Sequence, residues 1–200
     1  WPRECGGAGR SFVEQLILTE ELMMAGAPVS CHWLAERQVG PAIIASGTSQ
    51  QKQTFLPRIL KGELTFCMCL AEPGAGSDLA CLQTQAKEID GNFIVNGQKT
   101  LIMGADKAHY AFVLARTGAA DSRHKGLSAL LVDLKSPGIT IRPLFSASGG
   151  RSFNDVFFDN VKIPKDGLLG GKEGGWTVAT QQLSLDRSSI ELVAICDRVL

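Results

Sequence analysis

The stretch QTQAKEIDGNFIVNGQKTLIM, residues 83–103, alternates apolar and polar side chains and contains the pairs Asp90-Gly91 and Asn96-Gly97. Alternation with a period of two is typical of a half-buried strand. Asp-Gly and Asn-Gly pairs favour tight hairpin turns. The stretch therefore predicts antiparallel strands joined by turns at both pairs.

Similar short apolar runs lie on both sides of this stretch, separated by glycine, proline or charged turns. Several strands in succession without helices between them favour an antiparallel sandwich or barrel over βαβ units. These predicted strands are TFCMCLAE (65–72), HYAFVLART (109–117), GLSALLVDL (126–134), GITIRPL (138–144) and DVFFDNVKI (155–163).

Helical spacing appears before and after this β block. Ser11 and Glu14 form a capping-box pattern, and Thr48 or Ser49 is a candidate N-cap. Pro57 is expected to kink or split the helix that contains it. The predicted helices are residues 11–26, 39–47 and 48–61, and a long one from Gly175 to the last residue.

The chain is thus predicted to be an α+β protein of several domains. Residues 1–63 form part of an N-terminal helical domain, and residues 64–170 form the middle β domain. Residues 171–200 are the first helix of a truncated C-terminal helical bundle, because the helical pattern reaches Leu200 without a stop signal.

Composition excludes several classes of protein. Twenty basic and twenty acidic residues give a net charge of zero, so a nucleic-acid-binding surface is not expected. The apolar runs are far shorter than the roughly 20 residues that span a bilayer. The six cysteines and three histidines lack metal-ligand or disulfide-framework spacing, so no metal is assigned. Cys67 and Cys69 share one face of a strand, and buried, reduced thiols favour a cytoplasmic protein, or one of the mitochondrial matrix in a eukaryote.

The loop AEPGAGSD, residues 71–78, is the candidate ligand-binding segment. Gly74 and Gly76 permit positive φ and close backbone approach, and Ser77 adds a hydroxyl, which together suit a phosphate-bearing ligand. The loop matches neither a Walker A nor a GxGxxG pattern, so a plain connection between strands stays open. Glu72 is expected to accept backbone N–H bonds, and Lys99 to face solvent at a strand end.

Nearly the whole chain resembles the acyl-CoA dehydrogenase family. The resemblance is carried by FCMCLAEPGAGSDLA, NGQKTLIMGADKAHYAFVLART, KGLSALLVDLKSPGI, FNDVFFDNVKIPKDGLLGGKEGGW and the short LDR at 185–187. It implies an N-terminal helical domain, a middle β domain and a C-terminal four-helix domain that together bind FAD. It also implies removal of the α-proton of an acyl-CoA by a carboxylate, with transfer of the β-hydride to flavin N5.

The resemblance assigns the site residues. Ser77 is implied to contact both the flavin phosphate and the substrate, and Arg187 to contact the acyl-CoA. The main catalytic base is implied to lie beyond Leu200, and Asp186 stands where some members carry a catalytic Glu. The residues implied to bind FAD are Met68, Cys69, Leu70, Ala71, Gly76, Ser77, Leu101, Ile102 and Met103.

Three of these positions differ from the usual family residues. Leu101 replaces a common Trp, and Ala71 and Met103 replace residues that often carry a hydroxyl near the flavin. These differences keep two alternatives open: a non-catalytic partner subunit of a hetero-oligomer, and a related acyl-CoA oxidase or monooxygenase. A dehydrogenase of this family is expected to form homodimers or tetramers and to pass electrons to an electron-transfer flavoprotein. We expect the 200-residue chain alone to be inactive.

Overall fold

The computed structural model describes residues 1–186, in which a layer of helices covers part of an eight-stranded sheet. This arrangement confirms the predicted α+β class. The helices are α1 (Phe12–Met24), α2 (Ser30–Trp33), α3 (Gly40–Ser46), α4 (Ser49–Leu60) and α5 (Gly175–Asp186). The strands are β1 (Phe66–Cys69), β2 (Gln85–Ile89), β3 (Asn92–Met103), β4 (Tyr110–Arg116), β5 (Leu127–Asp133), β6 (Ile139–Leu144), β7 (Phe153–Pro164) and β8 (Leu168–Leu169).

The helix starts follow the capping signals. At α1 the Ser11 hydroxyl accepts the Glu14 N–H, and the Glu14 carboxylate accepts the Ser11 N–H. At α4 the same reciprocal bonds join Thr48 and Gln51. Pro57 does not split the helix, because α4 runs through it from Ser49 to Leu60.

The helical segment predicted for residues 39–47 starts earlier than expected. The backbone is already helical in α2, and a π-helical segment, Leu34–Val39, connects α2 to α3. The sequence does not mark this start, because no side chain caps the first turn of α2.

Removing the α4 cap gives the first prediction. We expect Thr48→Ala to lower the free energy of unfolding by about 1 kcal/mol, because one N–H of the first turn loses its acceptor. Urea unfolding measures the change. Ser49→Ala is the matched control, since Ser49 lies inside the helix, and an equal loss there would contradict the assignment of Thr48 as the cap.

The sheet is mixed rather than wholly antiparallel, which corrects the prediction. Its strand order is β6-β7-β3-β2-β4-β5-β8, and β1 also pairs with β4. Both β1 and β2 run parallel to β4, although the other pairs are antiparallel. The reason lies in the order of the chain: residues 70–109, which include the β2–β3 hairpin, separate β1 from β4. Parallel pairing becomes possible once the connection is this long.

One of the two predicted turns is correct. Asp90 and Gly91 both have positive φ and join β2 to β3. The turn predicted at Asn96-Gly97 is wrong, because β3 continues through it with a register shift against β7. The Asn96 side-chain oxygen accepts the Asn160 N–H at 2.8 Å, so β7 continues alongside β3.

Two cores hold the molecule together. One lies between the helices and the sheet and contains Phe55, Phe112 and Leu131. The other contains Phe93, Leu130 and other residues from β1, β3, β4, β5 and β7, so the sheet curls around it. In residues 1–186 we find no helix both long and apolar enough to cross a bilayer.

Candidate functional site

Strand β1 separates its side chains between the two cores. Cys67 and Cys69 are fully buried in the core inside the curled sheet. Met68 and Leu70 point the other way, toward the helices. The Cys69 thiol, and the Cys67 thiol 4.0 Å from it, therefore do not reach the surface on which a ligand could lie.

A bulge near the end of β3 turns two apolar side chains outward. The register against β7 shifts between Lys99 and Ile102. Leu101 has φ of 56°, in the left-handed region that a bulky residue rarely adopts. As a result Leu101 is 62% exposed and Met103 57% exposed, whereas Ile102 is buried. Bulges of this kind re-aim side chains next to functional sites.

These outward side chains form one wall of an apolar cleft of about 450 Å³. Residues of the N-terminal helical region, among them Trp33, also line it, together with Phe153 of β7 and Leu183 of α5. The lining residues are Met23, Val29, Trp33, Leu34, Gln38, Met68, Leu70, Leu101, Met103, Phe153 and Leu183.

A second cleft of about 580 Å³ adjoins the first, and the two share Leu70 and Leu183. It is bordered by hydroxyl groups and by backbone of the 71–78 loop. Its residues are Leu70, Ala71, Gly76, Ser77, Leu79, Trp176, Thr180, Leu183 and Ser184. The Ser77 side chain is exposed. The pair of clefts therefore combines an apolar slot with a polar, glycine-bordered end.

The 71–78 loop begins with a tight turn. Glu72 and Ala75 exchange both backbone hydrogen bonds, at 3.0 and 3.1 Å, around Pro73 and Gly74. The positive φ expected at Gly74 and Gly76 is not found, so the loop does not use the special conformations of glycine. Open space does surround Gly74 and Gly76, because an added Cβ at either would meet nothing within 4 Å. Their role in this structure is to leave the loop backbone uncovered.

Under this loop lies a buried ion pair between Lys99 and Glu72. Lys99 was expected to face solvent, but it is 0% exposed, and its Nζ lies 2.9 Å from Glu72 Oε1. Alternation along β3 indicated this position, because Phe93, Val95 and Lys99 share one parity and all three are buried. The alternation along a strand can therefore predict that a lysine is buried, although its residue type predicts an exposed position.

Glu72 braces the loop as expected. Its Oε2 accepts the Gln83 N–H at 2.6 Å, and its Oε1 accepts the Thr84 N–H at 2.9 Å. Burial raises the pKa of Glu72, but the Lys99 ammonium and the N–H donors outweigh burial and hold that pKa below its usual value. Burial also lowers the pKa of Lys99, and Glu72 offsets part of that effect. Glu72 is therefore an ionised anchor and does not face either cleft.

The structure brings together most of the predicted site residues. Met68, Leu70, Leu101 and Met103 line the apolar cleft, and Leu70, Ala71, Gly76 and Ser77 line the other. Cys69 and Ile102 lie in the inner core, so only their backbone is near the site. The side chain of Asp186, and Arg187 as a whole, fall outside the described residues.

Several lining residues were not predicted, notably Trp33, Phe153 and Leu183. They come from three distant segments, and no local pattern marks them. Among the described residues that line the two clefts, none carries an ionisable side chain. Within residues 1–186 there is also no group of three His, Cys, Asp or Glu side chains placed to hold a metal ion.

Comparison with known proteins agrees with this architecture. Residues 1–63 match "Acyl-CoA dehydrogenase, N-terminal domain", and residues 67–161 match "Acyl-CoA dehydrogenase, middle domain". The acyl-CoA dehydrogenase IpdE1 of Mycobacterium tuberculosis is 43% identical over 188 residues, which are 94% of this chain and 49% of that protein. The chain spans about half the length of the curated relatives it matches.

Solved structures give the same result. A protein titled "Tcur3481-Tcur3483 steroid ACAD" is 35% identical with a TM-score of 0.90, over 99% of this chain and 50% of that one. The ChsE4-ChsE5 complex of Mycobacterium tuberculosis is 38% identical with a TM-score of 0.85, over 92% of this chain and 47% of that one. The helical layer, the curled mixed sheet and the matched sequence lead to one conclusion: this chain belongs to the acyl-CoA dehydrogenase family.

Proposed function

We propose that this chain forms the flavin- and substrate-binding part of an FAD-dependent acyl-CoA dehydrogenase. The product is the 2,3-enoyl-CoA. The observation that carries the proposal is the pair of adjoining clefts, one apolar and one bordered by hydroxyls and open loop backbone. FAD likewise combines a flat ring system, the isoalloxazine at one end, with a charged pyrophosphate farther along the molecule.

The residues present fit such a group. Met68, Leu101 and Met103 offer apolar contact to a ring, which is how most small-molecule sites obtain affinity. Gly74 and Gly76 leave room for a ligand beside the backbone, and we propose that the exposed Ser77 hydroxyl donates to a phosphate oxygen. When bound, FAD supplies the hydride acceptor.

The chain's own contribution to the reaction is binding, orientation and exclusion of water. The apolar cleft that Trp33 and Leu101 line would hold the acyl chain and the flat ring of FAD in one space, which would orient them toward each other. The described cleft residues supply no carboxylate for removing the α-proton. We propose that this base lies outside the described residues, with Asp186 as one candidate, and that Arg187 contacts the CoA portion.

The substrate is proposed to be an acyl-CoA with a bulky apolar acyl group. The apolar cleft has no ionisable lining residue among those described. Leu101 is also a smaller side chain than the Trp common at this position, which leaves more room for the acyl group. The similar structure titled a steroid ACAD makes a steroid-derived acyl group the leading example. Electrons are proposed to pass to an electron-transfer flavoprotein, and the whole protein is proposed to be a homodimer or homotetramer.

A second candidate is a partner subunit without its own chemistry. Ala71, Leu101 and Met103 offer no side-chain hydroxyl to a flavin, and both similar structures are titled as assemblies of two named proteins. In this alternative the chain completes a site whose base and tight flavin contacts belong to its partner.

The full-length protein decides between these functions. We expect one FAD per chain and anaerobic loss of the visible flavin absorbance on adding a steroid-derived acyl-CoA, with slower loss for a linear acyl-CoA. Less than one FAD per chain and no bleaching, with both restored when a partner protein is added, would favour the partner subunit. Peroxide release in air without an electron acceptor would instead favour an acyl-CoA oxidase.

A further inference from the structure

Lys99 links the two strands that carry the β-domain wall of the apolar cleft. Its Nζ donates to the Leu70 carbonyl oxygen at 3.0 Å and to Glu72 Oε1 at 2.9 Å. Leu70 lines both clefts, and Leu101, two residues after Lys99, lines the apolar one. One buried ammonium group thus connects the end of β1 to the bulge of β3.

We infer that Lys99 is a positioning residue, which fixes the position of Leu101 relative to Leu70 within the β-domain wall and so sets the fit of the ligand against that wall. The inference rests on the proposed function for the identity of that ligand, the flavin of FAD. Lys99 itself is 0% exposed and lines neither cleft, so it acts only through Leu70, Glu72 and its own strand.

Stability alone does not account for a buried lysine here. A buried ion pair is often replaceable by apolar residues of similar volume without loss of stability. An apolar residue at position 99 would fill the space, yet it could not bond to the Leu70 carbonyl. What the ammonium adds is a directed link to a backbone atom of the cleft wall.

The conformation of the neighbouring bulge supports this role. Leu101 holds φ of 56°, and such strained backbone persists only where the surroundings enforce it. The Thr100 N–H donates to the Ala71 carbonyl at 3.0 Å, next to the two Lys99 bonds. Together these three bonds fasten residues 99–100 to residues 70–72. Without the Lys99 bonds, two of these three links are lost, and we expect the bulge to shift and to move Leu101 and Met103 in the cleft even though Thr100 keeps its bond to Asp155.

The test uses the full-length protein with Lys99→Met, which nearly keeps the length of the side chain and removes its charge. Val161→Ala, a truncation in the inner core at a residue that lines neither cleft, is the matched control for lost stability. Lys99→Gln is a second variant that retains one donor, in case Lys99→Met does not fold. The measurements are the FAD dissociation constant, the visible circular dichroism of bound flavin and the urea-unfolding midpoint.

We expect Lys99→Met to weaken FAD binding at least tenfold and to change the flavin circular dichroism, with Lys99→Gln intermediate. Val161→Ala should lower the unfolding midpoint and leave both flavin readouts unchanged. The inference is overturned if FAD affinity follows the unfolding midpoint across all variants, because Lys99 would then be merely structural.

Hydrogen exchange of the cofactor-free protein separates this inference from the proposed function. Backbone amides of residues 99–104 should exchange at least tenfold faster in Lys99→Met than in Val161→Ala. If the wild-type protein binds no FAD, the proposed function fails, and faster exchange still supports the positioning of the wall by Lys99. Equal exchange in the two variants rejects the inference, whatever the cofactor result.

Discussion

Replacing Glu72 by methionine is expected to lower the free energy of unfolding by about 3–5 kcal/mol, the usual result of breaking a buried ion pair by removing one partner. Among the described residues, the change leaves the Lys99 ammonium with the Leu70 carbonyl as its one hydrogen-bond partner. It also removes the acceptor of the Gln83 and Thr84 N–H groups. Urea unfolding of the variant and the wild-type protein measures the difference.

Glu88→Gln is the matched control. Glu88 also pairs with lysines, Lys172 at 2.9 Å and Lys165 at 3.8 Å, but on the surface. Exposed pairs contribute little because solvent screens them. A Glu72→Met variant as stable as Glu88→Gln would show that the buried pair does not hold the loop in place.

Acid unfolding of Glu72→Met tests how the contribution of Glu72 to stability depends on pH. The pKa of Glu72 is held below its ordinary value of 4.5 in the folded state, by the Lys99 ammonium and N–H donors against burial. The folded state therefore binds fewer protons than the unfolded state near that pH. The stability that Glu72 contributes is fully present above pH 4.5 and is lost as the pH falls through the lowered pKa. Stability should fall less steeply below pH 4.5 in Glu72→Met than in the wild-type protein.

Gly97→Ala is expected to cost about 2–5 kcal/mol, the sum of overpacking and of a backbone conformation that other residues avoid. An added Cβ would lie 2.4 Å from Thr84 Oγ1 and 2.7 Å from Thr84 Cα, and Gly97 has φ of 153°. The Thr84 backbone cannot move away easily, because its N–H is bonded to the buried Glu72 carboxylate. Thermal or urea unfolding measures the loss.

Gly91→Ala separates the two causes. Gly91 has φ of 71° with nothing within 4 Å of an added Cβ, so only the conformational penalty of about 1–2 kcal/mol applies. Equal losses at the two positions would mean that contact with Thr84 contributes nothing. A larger loss at Gly97 assigns the difference to that contact.

Local patterns predicted much of the sheet, and they failed where distant contacts decide. Strands β4 and β5 were predicted nearly to their ends because their apolar runs lie between clear turns. The Asn96-Gly97 pair favours a hairpin turn locally, but contact with Thr84 and pairing with β7 make it a bulge. Strand β8 escaped prediction because its two residues carry no periodicity.

The candidate site likewise contains residues that local patterns predicted and residues that only distant contacts bring together. The 71–78 loop and the segment around Leu101 were found through motifs, since they are contiguous in sequence. Trp33, Phe153 and Leu183 come from three separate elements, and only the folded chain brings them together. Cys69 and Ile102 show the opposite error, because residues adjacent to site residues in a strand point to the other face.

The contacts of Gln51 limit where this polypeptide can be truncated. The side-chain amide of Gln51 donates to the Asp166 carbonyl at 2.7 Å and to the Leu168 carbonyl at 2.9 Å, so α4 is bonded to the chain at the start of β8. The core containing Phe112 and Leu131 is likewise shared by the helices and the sheet. A truncated version starting at residue 64 would expose that apolar face to water, and such surfaces promote aggregation. We therefore expect the helices and the sheet to unfold as one cooperative unit, and expression boundaries should keep them together.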